Sequence, residues 1–387
     1  MDDIAAAFES QGINVTIVTV EIGDYDHPYF EPFRHMFIPA RGTKYPVKRL
    51  RMRHLFDRGI YNPIVCLEED ALVFNYIRKQ ATVSRVGFYH VFDTFVPYFN
   101  KVTIPNAEIA CLYYAGDFIT RTLHYLEKKS DDLALLRVIV DINTSHISTP
   151  QRRIGGIDSI LSQTASFVTT LRETNPAQIA KFILRPFDFA LASSIRDFDL
   201  RRFFNLPRES HVLIYAGRPT KNVESLVEVL AQVRKKNTAP VFLILVGTQN
   251  YDISKWNNYE TQKEFIISID FLERKELFEY IKGADIFVYP GLVDGHPKIV
   301  NESQAIGTPV VAFASAASAV EEIIIHNETG ILVPQSDNKR FAEEVDALLN
   351  DSERRVSLAN KAKEFANSHY SNESFVRGFL DSANNIS

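Results

Sequence analysis

Length, composition and charge limit the kinds of protein that this sequence can encode. The chain has 387 residues, of which 45% are hydrophobic and 24% are charged, and its formal net charge is -5. Such a chain is long enough for two domains of roughly 100 to 200 residues each. The composition argues against a disordered chain, and the acidic balance gives no general attraction to nucleic acid.

Cysteine content and hydropathy indicate the compartment. Cys66 and Cys111 are the two cysteines, and both lie in apolar stretches. Neither a disulfide framework nor a zinc cluster is therefore expected, and a reducing compartment is indicated. The sequence has no signal-peptide pattern and no apolar run near the ~20 residues that span a bilayer. We expect a cytoplasmic protein.

The N-terminal half alternates predicted helices and strands. Residues 2–11 predict a helix, and strands are predicted at 14–20, 62–67, 86–92, 159–162 and 182–184. Between 101 and 150 the pattern is ambiguous, because the run VIVDI can be a strand whereas 119–128 has helical periodicity. Two Phe-Asp pairs and a Leu-Pro pair mark the connection between the halves. We place a first domain at 1–190 and a linker at 191–208.

The C-terminal half has a clearer alternation. From His211 onward, six apolar runs rich in β-branched residues alternate with amphipathic stretches such as 223–235 and 273–282. This rhythm predicts a parallel, doubly wound sheet that is covered on both faces. Three further helices are predicted at 339–349, 352–368 and 373–383. The second domain is expected at 209–368, and the terminal helix within 369–387 can pack back on the N-terminal domain.

Residues 285–312 carry the strongest indication of a ligand site. A buried strand at 286–289 is followed by a loop, a helix at 298–306 and a second strand from Thr308. The loop holds Asp294, and it lies at the carboxyl end of its strand, where open α/β sheets bind ligands. Glu302 follows in the helix, whose first backbone N–H groups suit a phosphate. The segment predicts a site for a phosphate-bearing ligand that is rich in hydroxyl groups.

Three motifs in order resemble the donor-binding domain of glycosyltransferase family 4. They are YAGRPTKN at 215–222, the segment 271–290 that ends in ADIFVYP, and DGHPKIVNESQAIGTP at 294–309. The resemblance extends over 211–368 and implies the GT-B architecture, in which two Rossmann-like doubly wound α/β domains face each other across a cleft. It also implies transfer of a sugar from a nucleotide-sugar donor to a hydroxyl acceptor, with retention of the anomeric configuration.

The resemblance assigns roles to residues within these motifs. Arg218 and Lys221 match the cations that hold the donor diphosphate, since Arg can grip phosphate oxygens bidentately and Lys supplies a point charge. Glu302 matches the carboxylate that binds the ribose hydroxyls. Asp294 matches the carboxylate beside the donor sugar, where the family has Glu. The other expected donor-binding residues surround the diphosphate position: Gly295, His296, Lys298, Ile299 and Val300.

The expected catalytic residues are Asp294 and His90. In YHVFDTF at 89–95, His90 resembles the strand-end histidine with which the family approaches the donor sugar. A structural histidine among aromatic residues is the alternative for His90, and an ordinary Asp-Gly turn is the alternative for Asp294. No metal and no cofactor are expected, because the fixed cations stabilise the leaving group and the nucleotide-sugar is a substrate.

The acceptor is expected to be a glycan or a lipid-linked molecule. Residues 34–58 contain eight basic residues and one acidic residue. This pattern suits an anionic membrane surface, where each basic residue adds about 1 kcal/mol, and a solvated loop is the alternative. The family usually begins with a strand and a glycine-rich loop before the helix that 2–11 matches. Two other functions stay open: a non-catalytic nucleotide-binding or partner subunit, and a sugar-nucleotide epimerase.

Overall fold

The computed structural model of the chain contains two compact units. It describes residues 7–8, 10–13, 15–18, 86–90, 109–114, 137–142, 159–177, 179–248 and 251–384. The first unit comprises Met1–Pro186 and Asn372–Ser387, and the second comprises Phe187–Ser371. Within the residues just named, each unit contains a six-stranded sheet. Among the described residues, no helix has both the length and the apolar character that a membrane span requires.

The first unit contains a parallel sheet whose strands pair in chain order. Its strands are β1 (Val15–Val18), β2 (Val86–His90), β3 (Ile109–Tyr114), β4 (Arg137–Ile142), β5 (Ser159–Ser162) and β6 (Ala180–Phe182). Helix α1 (Ala165–Thr174) connects β5 to β6 and buries Phe167, Val168 and Leu171. A helix between parallel neighbouring strands is the ordinary βαβ connection.

The second sheet is also parallel, but its strand order reverses. Its strands are β7 (His211–Ala216), β8 (Val241–Val246), β9 (Ile266–Ile269), β10 (Ile286–Tyr289), β11 (Val310–Ala314) and β12 (Ile331–Pro334). They lie in the order β12-β11-β10-β7-β8-β9. Successive strands are added on one side of β7 from β8 to β9 and on its other side from β10 to β12. This reversal places a topological switch point between β7 and β10, where connecting loops diverge and leave a crevice.

Helices cover the second sheet. They are α2 (Phe189–Ser194), α3 (Leu200–Phe203), α4 (Ser225–Lys236), α5 (Tyr259–Gln262), α6 (Arg274–Gly283), α7 (Lys298–Ile306), α8 (Val320–Ile323), α9 (Asn338–Asn350) and α10 (Ser352–His369), and the short 3-10 helices are Ile253–Lys255 and Lys263–Phe265. Helix α4 packs against α9, and α7 packs against α10. Right-handed crossovers place α4 and α7 on opposite faces of the sheet, because their connections run in opposite directions. Both faces are therefore covered, which explains why all six residues of β8 are buried.

The last helix and the stretch 191–208 both adjoin the boundary between the units in sequence, and they belong to different units. The last helix, α11 (Asn372–Asn384), belongs to the first unit, where Phe379 meets the ring of Phe8 at 5.1 Å. The stretch 191–208, expected to be a linker, is instead part of the second unit. Its ordered packing explains this difference, because Phe198 stacks on Tyr280 at 5.2 Å and Leu200 is buried.

Most predicted elements with strong periodicity are confirmed. The helix predicted at 298–306 coincides with α7, and the six apolar runs of the C-terminal half contain β7 to β12. In the N-terminal half, the ambiguous VIVDI run is part of β4, and the strand predicted at 182–184 lies two residues earlier. The strand predicted at 62–67 and the helix predicted at 119–128 lie outside the described residues.

A pair of glycines allows the packing at the switch-point edge to be tested. Gly247 follows β8 and Gly307 follows α7, and both have a φ of 93°. A Cβ at Gly247 would lie 2.7 Å from the backbone oxygen of Gly217, whereas the nearest heavy atom at Gly307 is Lys363 Cδ at 3.8 Å. We expect Gly307→Ala to cost about 1 to 2 kcal/mol through backbone strain. Gly247→Ala is expected to cost more, because the loop after β7 must also move, and urea unfolding would contradict this account if the losses were equal.

Candidate functional site

Two loops meet at the carboxyl edge of the second sheet, at the switch point. We call residues 217–224 the β7 loop and residues 290–297 the β10 loop. Lys221 Nζ lies 2.9 Å from Asp294 Oδ2 and donates to the backbone oxygen of Val293 at 2.8 Å. Asn222 Nδ2 donates to the backbone oxygen of Pro290 at 3.2 Å. These contacts connect the two loops directly.

The β7 loop is held by its own turn. Asn222 has a φ of 60°, a left-handed conformation that asparagine tolerates better than most residues. Ser225 Oγ donates to the Asn222 backbone oxygen at 2.8 Å where α4 begins. Tyr215 OH donates to the backbone oxygen of Arg218 at 2.9 Å, while Arg218 itself is exposed. The backbone is thus fixed beneath an accessible guanidinium group.

Asp294 is oriented by its side chain and by its backbone. Its Oδ2 accepts a hydrogen bond from Tyr289 OH at 2.7 Å, in addition to the contact with Lys221. Its backbone forms an isolated parallel bridge with Ser318. Burial raises the pKa of Tyr289 above its ordinary value, and the charge of Asp294 raises it further. The phenol therefore stays protonated and donates to a carboxylate that is still 24% exposed.

Glu302 is buried on α7 between two cations. Its Oε1 lies 3.2 Å from an Nη of Arg274, on α6, and 3.6 Å from Lys298 Nζ, one turn earlier on α7. Glu302 and Lys298 were predicted from the sequence to bind the donor, whereas Arg274 was not. The position of Arg274 in the first turn of a predicted helix gave no functional signal, since basic residues at helix surfaces are usually solvated.

The remaining predicted donor-binding residues differ in accessibility. Lys298 is exposed, Ile299 and Gly295 are half-buried, and His296 is buried. Val300 is buried, and its N–H donates to the Pro297 backbone oxygen at 2.9 Å. The side chain of Val300 is thus part of the core, and its N–H closes the first turn of α7.

Two predicted functional features lie partly or wholly outside the described residues. His90 is the last residue of β2, paired with Tyr113 of β3, and its side chain lies outside the described residues. Residues 34–58 also lie outside them. In the described part of the chain, no cluster of three or more His, Cys, Asp or Glu residues could hold a metal ion.

The hydrogen bond from Tyr289 to Asp294 gives a prediction for stability. Tyr289→Phe removes one hydroxyl group and keeps the ring in its buried position. A hydrogen bond to a charged group contributes about 1.5 to 3 kcal/mol, and we expect the lower end of that range because Asp294 is partly exposed. Urea unfolding measures the loss of stability. Tyr280→Phe, on α6, is a matched control with a buried ring, and a similar loss in both variants would contradict the role of this bond.

The fold is that of the GT-B glycosyltransferases. A glycosyltransferase from Rickettsia africae superposes with a TM-score of 0.66 at 14% identity, covering 100% of this chain and 94% of that one. Sucrose-phosphate synthase from Thermosynechococcus elongatus superposes with a TM-score of 0.63 at 18% identity, covering 98% and 90%. Anabaena HepE, in complex with UDP and glucose, superposes with a TM-score of 0.63 at 15% identity, covering 96% and 99%. The predicted α/β fold class with two Rossmann-like domains is confirmed, and the reversal of strand order that defines a doubly wound sheet is described in the second unit.

Sequence similarity adds the class of protein for the second unit. Residues 197–365 match the model of the family "Glycosyl transferases group 1". A D-inositol 3-phosphate glycosyltransferase from Stackebrandtia nassauensis is 30% identical over 178 residues, 43% of this chain and 40% of the relative. An uncharacterized glycosyltransferase from Methanocaldococcus jannaschii is 24% identical over 191 residues, 49% and 48% of the two chains. The chain thus spans about half or less of the length of these curated relatives. All three motifs lie within the matched residues, so similarity to group 1 glycosyltransferases is shown for the part that holds the site.

Proposed function

We propose that the protein is a family 4 glycosyltransferase that moves a sugar from a nucleotide-sugar donor to a hydroxyl acceptor. The proposed reaction retains the anomeric configuration and needs no metal. One observation carries this proposal: the contact between Lys221 and Asp294 at the switch point, which joins a cation and a carboxylate from two loops. Such a pair suits a ligand that has both a diphosphate and sugar hydroxyl groups. The match of residues 197–365 to group 1 glycosyltransferases supports the same reaction class.

The proposed role of the cations is to stabilise the leaving group. Sugar transfer breaks the bond between the anomeric carbon and the diphosphate, so negative charge grows on the diphosphate. Cations that are fixed before the reaction stabilise that charge with little reorganisation. Lys221 is already held by Asp294 and by the backbone oxygen of Val293. Arg218 lies on the same loop and is exposed, so its guanidinium can bind a second phosphate oxygen.

The proposed role of the carboxylates is binding. Asp294 would accept hydrogen bonds from the donor sugar, and Glu302 would accept them from the ribose. In a retaining reaction on one face of the sugar, the leaving phosphate takes the proton of the acceptor hydroxyl. A pair of carboxylates that protonates and displaces, as in glycoside hydrolysis, is then unnecessary. The partial exposure of Asp294 supports a role in contact with a ligand.

The proposed acceptor is a glycan or a lipid-linked hydroxyl compound. His90, the last residue of β2, is proposed to contact the donor sugar. The eight basic residues of 34–58 suit contact with an anionic membrane surface. Co-sedimentation with phosphatidylserine vesicles at low salt tests this contact, and failure to co-sediment would contradict it.

An assay with a panel of nucleotide sugars tests the proposed function. The full chain is incubated with UDP-, GDP- and ADP-sugars, and the release of nucleoside diphosphate is measured with and without simple sugar acceptors. We expect release from one donor class and loss of donor binding in Arg218→Ala. Arg340→Ala is the matched control, because Arg340 is an exposed arginine of the same unit that pairs with Glu344. Epimerised donor would show an epimerase, and binding without turnover that is insensitive to Asp294→Ala would show a non-catalytic protein.

A further inference from the structure

Three buried polar side chains form a hydrogen-bonded chain next to the β10 loop. Tyr370 OH donates to Asn301 Oδ1 at 3.2 Å, and Asn301 Nδ2 lies 2.6 Å from His296 Nε2. The exposed fractions of His296, Asn301 and Tyr370 are 5%, 7% and 1%. Buried polar groups are costly unless they are hydrogen-bonded, so these contacts specify the arrangement strongly. The proposed sugar transfer gives Asn301 and Tyr370 no role so far.

The direction of these hydrogen bonds selects one form of the imidazole. The Tyr370 phenol, which burial keeps protonated by raising its pKa, donates to Asn301 Oδ1 in this structure. The amide oxygen of Asn301 accepts this bond, and the NH2 group at the other end of the amide consequently faces His296. An NH2 group can only donate, so Nε2 must accept. A neutral His296 therefore carries its proton on Nδ1.

Asn301 and Tyr370 are both anchored in the packed part of the second unit. Asn301 is on α7, whose packing against α10 buries it. Tyr370 follows α10, where its N–H donates to the Ala366 backbone oxygen at 2.9 Å. Its own backbone oxygen accepts a hydrogen bond from the N–H of Phe187 at 3.0 Å. The backbone of Tyr370 is thus held by two parts of the second unit that are distant in sequence, and the hydrogen bond from its phenol connects this fixed backbone to Asn301.

We infer that Asn301 and Tyr370 are positioning residues for donor binding, which act by fixing the ring and the tautomer of His296. The Nδ1 atom is adjacent to the ring carbon that bears Cβ, so its N–H lies on the side of the imidazole nearest the β10 loop backbone. A fixed ring at this place holds the segment between Asp294 and the start of α7 in one conformation. Sites that bind tightly depend on such supporting contacts. This inference rests on the proposed function, because it assumes that the β10 loop binds the donor.

The tautomer can be measured without any ligand. Nitrogen-15 NMR of imidazole-labelled, ligand-free protein at neutral pH distinguishes the two tautomers, and His296→Gln identifies the signal among the ten histidines. We expect the Nδ1–H tautomer in the wild-type protein. Tyr370→Phe releases the Asn301 amide to turn its oxygen toward Nε2, so the Nε2–H tautomer should become populated. Tyr280→Phe, also buried, should change nothing, and an unchanged tautomer in Tyr370→Phe would overturn the inference.

Binding measurements then connect the tautomer to the donor site. Calorimetric titration with UDP, GDP and ADP should show that Tyr370→Phe raises the Kd by about threefold to tenfold, as expected for the loss of one hydrogen bond. Asn301→Asp, which presents only acceptors to the ring, should also weaken binding and should place a proton on Nε2, in the neutral Nε2–H tautomer or in the imidazolium ion. A changed tautomer with unchanged affinity would overturn the positioning role. If the wild-type protein bound none of the three nucleotides, the proposed function would fail. The NMR result would still decide whether Asn301 and Tyr370 set the tautomer of His296.

Discussion

Lys221→Met is expected to lower kcat/KM for the nucleotide-sugar donor by roughly 100-fold to 1000-fold, the range seen when one group that stabilises developing charge is removed. Methionine keeps most of the volume of the lysine stem and removes the ammonium group. That group contacts Asp294 at 2.9 Å, at the position where leaving-group charge is proposed to grow. Steady-state rates of nucleotide release at several donor concentrations measure the change.

Two controls separate the catalytic role of Lys221 from a structural one. Lys236→Met removes a lysine of the same unit that pairs with Glu343 at 3.4 Å on the surface, and we expect it to leave the rates unchanged. Because Lys221 also joins the two loops, the thermal unfolding of Lys221→Met must be compared with that of the wild-type protein. A folded Lys221→Met protein that keeps more than about a tenth of the wild-type kcat/KM would contradict the proposed role.

Glu302→Gln is expected to weaken nucleotide binding and also to destabilise the second unit. The amide has nearly the same shape as the carboxylate, but it leaves Arg274 and Lys298 beside a neutral group. Loss of a hydrogen bond to a charged group should raise the Kd for the nucleoside diphosphate by about 10-fold to 150-fold. The same loss should lower the free energy of unfolding by about 1 to 3 kcal/mol. Calorimetric titration and urea unfolding measure the two effects.

A double variant distinguishes these two consequences of losing Glu302. Arg274→Met in the Glu302→Gln background removes the cation that has lost its partner, so the cost of a partly buried, uncompensated charge is relieved. We therefore expect the double variant to recover stability but not nucleotide binding. Recovery of both properties would show that Glu302 acts through the fold and does not contact the ribose.

The local parts of the site could be predicted because their signals lie within short segments. The β10, α7 and β11 elements follow from apolar runs bounded by turn residues, and Asp294 falls on the loop that such a unit places at the sheet edge. Arg274 could not be found in this way, because it is 28 residues from Glu302 in sequence. Tyr370 is 69 residues from Asn301, and no local pattern connects them. Their proximity depends on how α6, α7 and α10 pack.

Residues 187–208 show why a segment with turn signals was predicted to be a linker although it is an ordered part of the second unit. The two Phe-Asp pairs indicate chain turns, and both aspartates do lie at turns: Asp188 caps α2 by accepting from Leu191 N at 2.8 Å, and Asp199 caps α3 by accepting from Arg202 N at 3.0 Å. Aspartate before a short apolar stretch is a helix-start signal as well as a loop signal. Because Phe198 then packs on Tyr280, the segment is an ordered part of the second unit.

A crystal structure with a bound nucleoside diphosphate tests the central claim most directly, namely that the donor binds at the switch point of the second sheet. The proposed function predicts that the diphosphate lies between the ends of β7 and β10, within hydrogen-bonding distance of Arg218 and Lys221. It also predicts that the ribose hydroxyls contact Glu302. A nucleotide bound at any other place on the second unit, or one at the switch point without contacts to Arg218 and Lys221, would contradict it.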